Sequence, residues 1–134
     1  MDLNNPFDRV RNETPPYVNA RIDKYIQGSI QHYSGQDRDS VLKRIFELDR
    51  EWDIDRALML NFAVVGGTTF TAGVKGNRKW LYFLAVQMLF LGLHALKGWC
   101  PPVSLFRRMG FRTRYEIEYE KAALLDILKK KDTE

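Results

Sequence analysis

The chain has 134 residues, 45% of them hydrophobic and 28% charged, with 21 basic against 17 acidic side chains and a formal net charge of +4. The single cysteine, Cys100, excludes a disulfide framework and a cysteine-rich metal site, and the two histidines, His32 and His94, are far apart in sequence. The modest basic excess lies beside apolar blocks instead of forming one stripe, which argues against nucleic acid as a partner and suits anionic lipid headgroups.

Residues 1–17 read as an irregular tail, with Pro6, Pro15 and Pro16 as breakers, and the first ten residues lack the apolar run of a signal peptide. Residues 18–56 read as two amphipathic helices. In the first, Val18, Ile22, Tyr25, Ile26, Ile30 and Tyr33 recur at helical spacing, and Gly35 after Ser34 offers a left-handed cap. Asp39 or Ser40 is expected to cap the second, whose apolar face is Val41, Ile45, Leu48 and Trp52. No breaker follows it, so it is expected either to lie on a membrane surface or to continue into the next block. Asp49, Glu51, Asp53 and Asp55 alternate with arginine and read as a solvated charge run.

Residues 57–99 form a hairpin unit. Its spans, 57–74 and 80–96, carry no fixed charge and flank the basic turn Lys75-Gly76-Asn77-Arg78-Lys79. Both are near the minimum of roughly 17 residues for crossing a hydrocarbon core. In hydrocarbon each segment must satisfy its own backbone, and two segments cannot close a barrel, so both are helices, antiparallel across the short turn. Residues 100–134 comprise a Cys-Pro turn, a basic stretch and a last helix. Pro101 and Pro102 break the second span. Thr113 and Glu116 form a capping box for a helix that runs to about Lys130, with Ile117, Leu124, Leu125 and Leu128 as its stripe.

The fold class predicted is all-α: a membrane protein with a two-helix transmembrane hairpin flanked by amphipathic cytoplasmic helices. The second block is apolar on almost every face, more than so short a chain can bury. Trp52, Trp80 and Trp99 sit at block edges, as tryptophan does at headgroup level. Basic residues in the outer flanks outnumber Lys75, Arg78 and Lys79 of the turn, which predicts a bacterial-type inner membrane location with both termini cytoplasmic. The soluble alternative is a helical bundle that binds an apolar ligand or partner helix.

Polar groups at membrane depth are the first candidates for function. With Asn77 at the hairpin centre, Gln87 falls near Thr68 or Thr71 and His94 near Asn61, on one face of the second helix. These pairs are expected to fix register by hydrogen bonding, with a polar lane for a solute or proton as the sharper alternative. Ala63, Gly67 and Thr71, spaced by four, form a small-residue packing face for the hairpin itself or for a homodimer.

The hairpin and its exit Gly98-Trp99-Cys100-Pro101, followed by a Leu- and Phe-containing segment and Gly110, resemble the YgaP-like inner-membrane domain family of unknown function. The resemblance covers about Arg50 to Thr113 and implies a membrane hairpin that pairs with itself. The chain departs from that family in a longer gap from Cys100 to Gly110 and in lacking the rhodanese domain, so sulfurtransferase activity is not carried over. Cys100 can be a small residue filling a tight turn, a membrane-edge thiol whose pKa is lowered by Lys97, Arg107 and Arg108, or a haem ligand with His94. No serine triad, phosphate-binding loop or metal-ligand spacing appears, and no cofactor or metal is expected. The function expected is a non-enzymatic, self-associating membrane module with a cytoplasmic protein partner. The alternative is a protein that handles sulfur or redox chemistry through Cys100.

Overall fold

The computed structural model describes Leu3 and residues 5–131. Residues 1, 2 and 4 of the expected tail and 132–134 beyond the last helix lie outside that range. Among the described residues the chain is all-helical, without a strand: α1 Arg9–Asn12, α2 Pro16–Ser34, α3 Arg38–Arg50, α4 Ile54–Lys75, α5 Lys79–Lys97, α6 Pro101–Met109 and α7 Arg114–Lys131.

The N-terminal segment is more ordered than an irregular tail. Asp8 caps the single turn of α1 by accepting from the Arg11 amide, and Val10 and Arg11 are buried. Pro16 opens α2 instead of breaking the chain, because its fixed φ suits the first helical position. Gly35 is not a left-handed cap, since its φ is −91°. The cap of α3 is Asp37, not Asp39 or Ser40. Its carboxylate accepts from the Ser40 amide at 3.2 Å and the Ser40 hydroxyl at 2.7 Å, three residues on, where an N-cap reaches best.

The helix from 40 does not run on into the first span. It stops at Arg50, although neither Gly nor Pro intervenes. Asp53 starts a new helix by accepting from the Arg56 amide at 2.8 Å, and the Ile54 amide donates to Arg112 O at 2.9 Å. Glu51, in the bend, is turned onto Arg112. Tertiary partners make this break, so local sequence does not display it.

The expected spans, 57–74 and 80–96, lie inside α4 and α5. Both helices are long and apolar enough to cross a membrane. Gly98, in the left-handed region at φ 79°, ends α5 with its amide on His94 O at 2.7 Å. Beyond it, the prolines read as breakers initiate α6 at its first two positions, and Gly110 at φ 101° ends it. The Thr113–Glu116 capping box forms as expected. Glu116 accepts from the Thr113 amide at 2.9 Å, and the Glu116 amide donates to the Thr113 hydroxyl at 3.2 Å.

Two regions result. In the helical head, Val41, Ile45 and Leu48 of α3 pack on Ile117, Leu124 and Leu128 of α7, while Val18, Ile22 and Ile26 of α2 form a second cluster with Leu3. At the base of the hairpin, Val10, Ile54, Leu58, Phe62, Cys100 and Val103 form a third. Above that base Gly66, Thr69 and Gly73 of α4 lie against α5, and no residue of α5 is buried.

Candidate functional site

The hairpin contacts set where the polar groups lie. Thr69, not Thr68 or Thr71, donates to Gln87 Oε1, at 3.2 Å. Thr68 and Thr71 are exposed and donate instead to the carbonyls of Val64 and Gly67. The face of α4 against α5 is Phe62, Gly66, Thr69 and Gly73, spaced four, three and four. The expected face of Ala63, Gly67 and Thr71 is rotated from it by one residue, about 100°, and points outward. Close approach is real at Gly73, where a Cβ would lie 2.6 Å from Leu81 Cδ2, while Gly67 has open space. The small-residue rule was right in kind. The phase was not legible, because small residues occupy both faces.

His94 does not meet Asn61. Its Nε2 faces Asp55 Oδ1 at 3.1 Å, so that Nε2–H donates to a carboxylate, a stronger acceptor than an amide. Asp55 thus leaves the solvated charge run assigned to it and ties the first turn of α4 to the last turn of α5.

This pair stands in a groove of about 510 Å³ between the hairpin base and residues 5–10. One wall is apolar: Leu58, Met59, Leu91 and Ala95. The other end carries Asp8, Arg9, Asp55, His94 and Arg114. Arg9 closes the α5 side by donating to Ala95 O at 2.6 Å, a carbonyl of the last helical turn that has no partner within the helix. Gly98 allows this seat, since a Cβ there would sit 2.6 Å from the Arg9 carbonyl carbon. His94 Nδ1 is buried with no hydrogen-bond partner among the described residues.

Below the groove lies a buried ionic network that the sequence reading missed. Glu116 receives Arg107 at 2.6 and 2.8 Å and Arg11 at 2.8 Å. Arg107 also donates to Thr14 Oγ1, Asn19 Oδ1 and Phe111 O. Glu120 receives Arg112, Arg44 and Ser29, and Arg112 also grips Glu51. Burial by itself would raise the Glu116 carboxyl, but the Arg107 guanidinium, the Thr113 amide and Arg11 outweigh it and hold the group below its ordinary range. Burial likewise works against the charge of Arg112, and Glu51 and Glu120 outweigh it, so its pKa is raised. A signal existed. The buried stripe Leu124 and Leu128 of α7 continues backward by fours to Glu120 and Glu116.

Cys100 is fully buried beside Val103 and Ile54. Burial pushes its thiol up, and Arg107, expected to lower it, is committed to Glu116. Trp52, Trp80 and Trp99 are all exposed at the ends of the hairpin, with the Arg56 guanidinium 4.9 Å over the Trp52 ring.

Comparisons with protein-family models, with curated proteins and with solved structures return no match to the chain.

Proposed function

We propose that the chain is a non-enzymatic membrane module whose hairpin α4–α5 crosses the cytoplasmic membrane and whose ion-paired helical head stays on the cytoplasmic side. The observation that carries this reading is the outer face of α5. Tyr82, Leu89 and Leu96 are 76%, 71% and 76% exposed, and no residue of its 19 is buried. A face so apolar and so long is stable against hydrocarbon, not against water. The exposed tryptophans, with Arg56 and Lys97 at the base and Lys75, Arg78 and Lys79 at the tip, match the interfacial belts of a span. Exposed Lys43, Arg50, Arg56, Lys97 and Arg108 on the head side outnumber the tip cations and support termini on the cytoplasmic side.

The outward stripe Ala63, Gly67 and Thr71 supports self-association, because a second hairpin can approach there as closely as α5 does at Gly73. The Gly98-Trp99-Cys100-Pro101 exit keeps the YgaP-like family as the proposed kinship. The deciding experiment is fractionation of the expressed chain with an alkaline carbonate wash. Retention in the pellet with release only by detergent supports the module. A chain that is soluble from the start overturns it and makes the hairpin a docking surface for another protein.

A further inference from the structure

We infer that the groove at the hairpin base is a binding site for a phospholipid with a primary-ammonium headgroup, of the phosphatidylethanolamine class. This deepens the membrane reading and rests on it.

Position comes first. Asp55 lies in the first turn of α4 and His94 in the last turn of α5, so both sit at the level where hydrocarbon gives way to headgroups. The groove runs from an apolar wall of Leu58, Met59 and Leu91 to this polar end. A ligand matching it is an amphiphile with its chain along the hairpin and its head beside Asp55.

The charges select the head. Asp8 and Asp55 line the groove together with Arg9 and Arg114, the last also paired with Glu118 at 2.6 Å, so the groove is not a purely cationic site. Zwitterionic heads match this balance better than anionic ones. Asp55 is half-exposed, so its carboxylate is open to a donor while it holds His94. His94 Nδ1 is buried inside the wall, so the open acceptor of the pair is the Asp55 carboxylate. A half-exposed carboxylate in a groove wall calls for a charged donor. A primary ammonium carries three N–H donors, whereas a trimethylammonium of equal charge carries none. The phosphate then falls to the guanidinium groups at Arg9 and Arg114, which suit its planar oxygen pairs.

The test uses the intact chain in mild detergent, with thermal unfolding followed by tryptophan fluorescence. Dihexanoyl phosphatidylethanolamine, its phosphatidylcholine and phosphatidylglycerol counterparts, and free O-phosphoethanolamine are titrated separately. Phosphatidylethanolamine is expected to raise the midpoint by about 4 °C or more, and the other three by much less. Asp55→Asn, which keeps an acceptor for His94, is expected to abolish that increment. Arg114→Gln, on the half-exposed phosphate side, is expected to weaken it, and it serves if Asp55→Asn fails to fold. Equal stabilisation by phosphatidylcholine would overturn the ammonium assignment, and equal stabilisation by O-phosphoethanolamine would overturn the lipid. Preference for phosphatidylglycerol would replace the site with a plain anionic one. Failure of the membrane reading shows separately, as recovery without detergent, and the short-chain titration still reads the groove.

Discussion

Arg107 and Glu116 meet through two hydrogen bonds, Nη1 to Oε2 at 2.6 Å and Nη2 to Oε1 at 2.8 Å, with side chains only 1% and 0% exposed. Arg11 completes the site from the N-terminal segment. Three separate stretches of chain therefore converge on one carboxylate. Arg107→Met leaves Glu116 with half its compensation and should destabilise the head by about 3–5 kcal/mol, measured by chemical unfolding. Replacing Arg107 and Glu116 together by apolar residues of similar volume should cost much less, because Arg11 keeps Asp23 as its partner and no buried charge is stranded.

The same carboxylate sets a pH dependence. Its folded pKa lies below the ordinary 4.5, so its contribution is present at neutral pH and is lost as pH falls below the unfolded value and through the folded one. The unfolding midpoint should therefore drop below about pH 4.5, and a Glu116→Gln chain, less stable at pH 7, should show a shallower drop. Parallel pH profiles for the two chains would remove Glu116 from this role.

Gly73 and Gly67 separate the true packing face of α4 from its neighbour. A methyl at Gly73 meets Leu81 at 2.6 Å, whereas at Gly67 it meets nothing within 4 Å. Gly73→Ala should cost about 1–3 kcal/mol as overpacking. Gly67→Ala should gain about 0.5–1 kcal/mol from helix propensity unless a second copy packs there. Unfolding in detergent measures both, and disulfide crosslinking of a Gly67→Cys chain reports the dimer face.

Cys100 should resist thiol reagents in the folded chain. It is fully buried and its pKa is raised, so the thiolate is scarce at neutral pH. Maleimide labelling at pH 7 should be at least about tenfold slower before denaturation than after it. Rapid labelling of the native protein would reopen a redox role.

Much of the element order was legible because it depends on local pattern. The charge-free blocks, the basic turn between them, which is only Gly76-Asn77-Arg78 because Lys75 and Lys79 join the helices, and the Thr113–Glu116 box each declare themselves within one segment. What escaped was decided at long range. The break after Arg50 depends on Arg112, 61 residues from Glu51, and the fixed seat of the N-terminal segment depends on Glu116, 105 residues from Arg11. The helix α6 escaped for a local reason, since paired prolines stop one helix and start another with equal ease. Of the candidate site, His94 and the depth of Gln87 were visible. The partner of His94 was not, because Asp55 looked like one more solvated acid.

The outer face of α5 gives opposite predictions in water and in lipid. Leu89 lies near the middle of α5 and is 71% exposed. In water, Leu89→Lys removes an apolar patch and should improve solubility without cost to the fold. In a bilayer the same lysine lies at the helix centre, where insertion costs about 2.5–3.5 kcal/mol. The membrane reading therefore predicts that Leu89→Lys shifts much of the chain from the carbonate-resistant pellet to the wash or to degradation. Lys79→Arg, at the helix start, should leave partition unchanged. If Leu89→Lys partitions like the parent chain, α5 does not face hydrocarbon.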